Sequence, residues 1–174
     1  MLGFLRVVGI VNAAIWFGAI AFFTFAAAPA FFSPEMTRLL GRPHAGAAAQ
    51  LVVHRYFIVQ QICAAIALMH LIGEWLYTGR PLNRLTLILV SVLFFLGVVA
   101  GSVLEPKMRE LHLKMYAVEA PTAMKESSRR AFGLLHGTSS VLNLLVMAGV
   151  LVYLLGITKP VTNSRFASAA RFTT

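Results

Sequence analysis

Charge is scarce in this chain. Only 12% of its 174 residues are Asp, Glu, Lys or Arg, about half the share that soluble domains carry. Acidic residues are the scarcest of all. There are six, Glu35, Glu74, Glu105, Glu110, Glu119 and Glu126, against fifteen Lys and Arg, for a net charge of +9. Cysteine is nearly absent, and the lone Cys63 excludes an intrachain disulfide framework and any multi-cysteine zinc or iron–sulfur site. Ser–His–Asp spacing, a P-loop, a dinucleotide fingerprint and HExxH are all missing. So is any nucleic-acid-binding motif. No complete catalytic set is therefore legible, and the leading expectation is a protein that is not an enzyme.

Apolar residues are what the chain has in abundance. They make up 59% of it, and the mean hydropathy is +0.79. A bilayer core of about 30 Å needs roughly 20 apolar helical residues. Four stretches meet that need: residues 7–28, 51–77, 85–104 and 131–157. None alternates as barrel strands do, and helices otherwise are the structures that satisfy their own backbone in lipid. The first stretch is too long for a secretory h-region, so it is read as a retained span. The expected fold is all-α, an integral membrane four-helix bundle. Residues 1–157 form the transmembrane domain and 158–174 a basic polar tail. In a bacterial cell this multi-pass protein belongs in the inner membrane.

The connections differ in kind. Residues 29–50 hold Pro29, Pro34, Gly41, Pro43 and Gly46 and read as a broken excursion. Residues 78–84 read as a tight turn. In the third connection Leu104, Met108, Leu111, Met115 and Val118 step by fours and threes, with Lys107, Glu110 and Lys114 on the other face. That pattern predicts an amphipathic helix at the membrane interface, started or kinked by Pro106. Pro121 should start another short helix leading into the fourth span. Four spans put both termini on one side with the second connection. Basic residues number nine on the long-connection side and six on the other, while acidic residues number five and one. The basic count favours the long connections inside and the net charge favours the reverse, so both orientations stay open.

Polar groups inside the spans are the candidate site. At 1.5 Å per residue, His136 sits roughly 7–8 Å below the surface at which His54 and Glu105 lie, and His70 is roughly 24 Å from His54. His54, Glu105 and His136 are therefore expected near one another. Neutral imidazoles could ligate haem iron or a divalent metal with Glu105 as orienter. The structural alternative is headgroup-level polar residues with His136 bonded to a neighbouring helix. His136, Ser140 and Asn143 form one stripe, suited to interhelical hydrogen bonds. Gln60, Cys63, His70, Glu74 and Tyr77 share a face of the second span. His70 and Glu74 could pair there, either as a proton or ion path or as an interfacial pair on an inward polar face. Asn12 and Trp16 are one turn apart on the first span and suit packing. Gly97/Gly101 and Gly133/Gly137 repeat the GxxxG spacing and predict close packing of the third and fourth spans.

Leu104-Glu105-Pro106-Lys107, followed by His136-Gly137-Thr138-Ser139-Ser140 and Asn143-Leu144, resembles the transmembrane-protein-205-like family. Trp16, Thr24, Phe25, Tyr56 and Phe57 are similar in layout. The resemblance covers about residues 5–157 and is most specific between Glu105 and Asn143. It implies a four-helix membrane domain and brings no established reaction. Three functions follow in order of expectation. The first is a bundle that binds lipid or a partner protein, as a homo-oligomer or an accessory subunit of a larger membrane complex. The second is a haem- or metal-ligating redox protein using His136. The third is a small transporter using Gln60, His70 and Glu74.

Overall fold

The computed structural model describes residues 2–79 and 83–159, so most of the basic tail expected at 158–174 lies outside the described residues. The described chain is helical almost throughout. Helix α1 (Leu2–Phe22) runs through a π-helical turn (Phe23–Ala27) into the short α2 (Ala28–Phe31). Then come α3 (Pro34–Thr78), α4 (Arg84–Val99), a second π-helical turn (Ala100–Leu104), α5 (Glu105–Tyr116) and α6 (Thr122–Thr158). Four helical segments are long and apolar enough to cross a membrane: Gly3–Phe31, Pro34–Thr78, Arg84–Tyr116 and Thr122–Thr158.

Helix ends follow local chemistry. Ser33 Oγ accepts the Met36 N–H at 3.2 Å, and Pro34 fills the first turn, where a missing N–H costs nothing. Gly79 ends α3 in the left-handed region at φ 61°, its N–H returning to the Trp75 carbonyl at 3.0 Å. Asn83 caps α4 by accepting from the Leu85 N–H. Pro121 precedes α6, which runs unbroken for 37 residues, so the short separate helix expected there is its first turns.

Two expectations about the connections are overturned. Residues 34–50 are helix, not a broken excursion. Pro34 and Pro43 both sit in first helical turns, and Gly41, at φ 71° and ψ 154°, makes the single break between the two helical pieces of α3. The amphipathic segment does not stand apart at the interface. It continues α4 through the π turn and packs on α6 and α3, with Leu111 and His112 buried and Met108 and Met115 half-buried. Val118, expected on the same face, lies past the helix end and is 92% exposed.

The core lies where α1, α3, α4 and α6 meet. Trp16 and Ile20 of α1 pack with Ala64 and Ala67 of α3, Val90 of α4, and Val150 and Tyr153 of α6. α1 contacts α3 and α6, and α4 contacts the same two helices. Outside this core the helices present Phe4, Val7, Val11 and Ile15, then Ile88, Val92, Phe95 and Val99, all exposed. Both faces of a helix being apolar is the mark of a chain solvated by hydrocarbon.

The glycine pairs do not close the third span on the fourth. Gly97, Gly133 and Gly137 have nothing within 4 Å of a Cβ position, and Gly101 faces Phe57 and Gln61 of α3. The α4–α6 seam is closed lower down, where a Cβ on Gly149 would sit 2.8 Å from Leu93 Cδ2.

Candidate functional site

A cavity of about 680 Å³ opens inside the bundle toward the end that carries the long connections. Its walls follow helical periodicity. α3 contributes Gly46, Ala49, Gln50, Val53, Tyr56 and Gln60, and α6 contributes Phe132, His136, Ser139, Ser140, Asn143 and Val146. Each set falls at spacings of three and four, one face of one helix. α5 adds Glu105, Met108 and His112, and α4 closes one side with Leu96, Gly97 and Ala100. Phe23, Thr24, Phe31 and Phe32 complete the wall from the end of the first span. Most of this lining is apolar, with polar groups at two levels.

The deeper level is a closed network. Tyr56 donates its hydroxyl to Asn143 Oδ1, and Asn143 Nδ2 donates to Thr24 Oγ1 at 2.7 Å. Thr24 in turn donates to the Ile20 carbonyl at 2.7 Å. Three spans are thereby joined by side-chain hydrogen bonds. Phe23 stacks on Tyr56 with ring centroids 4.2 Å apart. One turn below Tyr56, Gln60 accepts from Trp16 Nε1 at 3.4 Å, and Asn12 Nδ2 donates to the Cys63 carbonyl at 2.9 Å. Asn12 and Trp16 thus face inward and bond α1 to α3.

The upper level is not closed. Glu105 is only 6% exposed, and among the described residues its ion-pair partner is His54, whose Nδ1 lies 3.7 Å away. Gln50 Oε1 is buried and accepts from no group among the described residues. His112 packs on Phe132, which stacks on His136 with the two rings 5° from parallel. Gly46 leaves room for the His112 imidazole, since a Cβ there would overlap it.

The two π turns sit at the edge of this cavity. Each is followed by a proline at the second residue, Ala28-Pro29 and Glu105-Pro106. A proline inside a helix has no N–H to give, and its ring presses on the carbonyl four residues back. Widening the preceding turn relieves that pressure. The Ala28 N–H accordingly reaches the Phe23 carbonyl, and the Glu105 N–H the Ala100 carbonyl, five residues back in both cases. π turns of this kind recur at functional sites because they re-aim the side chains beside them.

The residues singled out from sequence divide into two groups. Glu105, His136, Ser140, Asn143 and Gln60 all line the cavity. His54 stands outside it, within reach of Glu105 but largely exposed. Ser140 donates to the His136 carbonyl within its own helix. His70 lies at the far end of the molecule, buried against Gly9 of α1, with no partner for its Nδ1 among the described residues. Glu74 is exposed, and no ion pair joins it to His70 among the described residues, so the expected pairing is not formed. No group of three or more His, Cys, Asp or Glu that could hold a metal ion occurs among the described residues.

Three lining residues went unrecognised in the sequence. His112 falls within the segment expected at the membrane interface and neighbours Leu111 on its inward face. Gln50 and Gly46 fell in a stretch read as loop, and only its helical spacing to Tyr56 and Gln60 would have revealed them. No curated protein and no solved structure matches the chain significantly. A family match covers residues 11–117, from the first span to the end of α5, and takes in every wall of the cavity except the α6 face. The chain belongs to the family defined by a domain of unknown function, DUF4149.

Proposed function

We propose that this protein is a non-enzymatic membrane bundle that holds a lipid-like amphiphile in its internal cavity. The observation that carries the reading is the cavity itself. Its volume falls within the roughly 300–1,000 Å³ typical of small-ligand sites, and so does its character, apolar walls with a few convergent polar groups. The buried polar network joins three spans in the deeper wall of the cavity and leaves the rest of the space open to a guest. Hydrocarbon surrounds the four spans, so lipid is the ligand class at highest local concentration. Within the DUF4149 family, the segment Leu104-Glu105-Pro106-Lys107 and the His136–Asn143 stripe favour a transmembrane-protein-205-like member. In a bacterial cell such a helical protein resides in the inner membrane.

The test is extraction. The full chain is purified in mild detergent, denatured, and the released lipid identified by mass spectrometry. Ser139→Trp and Ala100→Trp place bulk in the cavity. The expected result is stoichiometric lipid from the native chain and little from either variant, with helical circular dichroism unchanged. A native chain that releases no lipid would sink the reading, as would variants that retain it in full. Partner subunits that persist through the same purification would instead support an accessory role in a larger complex.

A second reading rests on two imidazoles, His112 and His136, lining one cavity. These are the groups that ligate haem iron, and Glu105 lines the same cavity with His54 beside it. An absorption spectrum of the purified chain separates the readings: a Soret band supports haem and displaces lipid, and a featureless visible spectrum removes haem.

A further inference from the structure

Beside the internal cavity runs a smaller recess of about 230 Å³, on the outside of the bundle between the first span and α3. Ala19, Phe22 and Ala27 form one bank, and Val52, Arg55 and Val59, at spacings of three and four along α3, form the other. Phe22, Val52, Arg55 and Val59 are exposed, so the recess faces the bilayer. The two alanines supply its depth, since neither has a side chain past Cβ. Phe23 and Tyr56 line both this recess and the cavity. Their stacked rings are therefore the partition between the cavity and the surrounding hydrocarbon. Resting on the proposed lipid-binding role, we infer that the recess is a docking site for a phospholipid of the bilayer, with its phosphate on Arg55 and one acyl chain in the groove, and that this chain enters the cavity between Phe23 and Tyr56.

Charge complementarity picks the occupant. Arg55 is the one charged group of the recess, and it forms no ion pair among the described residues. It stands next in sequence to His54, at the level expected for headgroups, where an arginine meets phosphate while its stem lies along apolar surface. Val59 is one turn further in, about 6 Å, and the lining there is apolar apart from the Tyr56 hydroxyl, which is already given to Asn143. The partition is free to move on one side. Tyr56 is pinned by that hydrogen bond, whereas Phe23 has no polar group to unpair, is half-buried, and opens a π turn of which no residue is buried. The other way into the cavity is the end where Arg42 is exposed. An acyl chain taking that route would leave hydrocarbon for water, and every methylene exposed resists the move. The lateral route keeps the chain in hydrocarbon throughout.

The experiment follows lipid exchange. The full chain, purified in mild detergent with its retained lipid, is mixed with excess deuterated phosphatidylglycerol or, separately, deuterated diacylglycerol, and replacement is timed by native mass spectrometry. Ala19→Trp fills the groove at a position that does not line the cavity. It should slow exchange about tenfold or more, as a barrier raised by overpacking does, and leave the amount of lipid held at equilibrium unchanged. Phe23→Ala should speed exchange. Arg55→Gln, at an exposed position where folding is not at stake, should slow phosphatidylglycerol exchange about tenfold through loss of a charge-assisted hydrogen bond, and leave diacylglycerol exchange as it was. Arg42→Trp crowds the other end of the cavity and should change neither rate. Slowing by Arg42→Trp with none by Ala19→Trp places the entry at that end and overturns the inference. Equal slowing of both lipids by Arg55→Gln overturns the phosphate assignment. A dimer of the native chain that Ala19→Trp splits makes the groove a seat for a second copy and overturns the inference as well. In each of these cases the cavity still holds lipid, whereas a native chain with no retained lipid removes the cavity reading and the entry site with it.

Discussion

At the scale of single residues, two glycines take the place of side chains that the fold cannot fit. A Cβ on Gly9 would lie 2.5 Å from His70 Nε2, and one on Gly46 would overlap the His112 ring. Both imidazoles are therefore seated in backbone notches of a neighbouring helix. Gly46→Ala should destabilise the protein by about 1–3 kcal/mol, the usual cost of overpacking, read from thermal unfolding in detergent. The same change in a His112→Ala background should cost much less, because the colliding ring is gone. Gly133→Ala, which meets nothing within 4 Å, should be neutral or stabilising by up to about 1 kcal/mol through helix propensity. The contrast bears on what a sequence discloses. GxxxG spacing marks glycines that share a helix face, and nothing in that spacing says whether a partner lies opposite. Gly46 stands in no such motif, and its role follows from a histidine 66 positions away. Periodicity did single out the inward faces carrying Asn12, Trp16, Gln60 and Cys63, because one polar residue per turn in an apolar span has to turn away from lipid.

At the scale of elements, the four spans and their helical character were legible because hydrocarbon thickness and backbone satisfaction leave few alternatives. Proline was the source of the errors. Pro34 and Pro43 were read as breakers and act as helix starters, since a first turn has no use for the N–H they lack. Pro29 and Pro106 neither break nor start a helix outright, and each is accommodated by the widened turn before it. That accommodation yields a prediction. Pro106→Ala restores an N–H and removes the ring that presses on Ser102. The segment can then relax to ordinary α-helical pitch, which turns everything after it by about 100° per residue gained or lost. Glu105 and His112 would leave the cavity wall. The expected outcome is a melting temperature equal to or above that of the native chain, together with loss of co-purifying lipid. Full lipid retention would show that the π turn is not what aims these side chains.

At the scale of the whole molecule, the helices are longer than the bilayer is thick. α6 has 37 residues, about 55 Å, against a hydrocarbon core of about 30 Å. The excess lies at the end where α5, the start of α6 and the first part of α3 pack together. There the surface changes character, with Glu110 bridging Lys107 and Lys114, and Arg130 paired to Glu126 at 3.2 Å. The cavity occupies the junction between this charged annex and the membrane-embedded core. Four crossings put the annex on one side and both ends of the bundle on the other. In a Cys63→Ala background, Lys114→Cys and Lys125→Cys should therefore react with a membrane-impermeant maleimide from the same face of sealed vesicles, and Gly3→Cys only from the opposite face. Labelling of all three from one face would remove the four-crossing arrangement.

The first and last spans are also stitched together at their tips. Arg6 donates to the carbonyls of Thr158 and Lys159, at 3.2 and 3.0 Å, so the start of α1 lies against the finish of α6. The described chain thus nearly closes into a ring. A short linker across that gap, with the chain reopened between α5 and α6, would give a circular permutant in which every helix keeps its neighbours and the order of synthesis alone is changed.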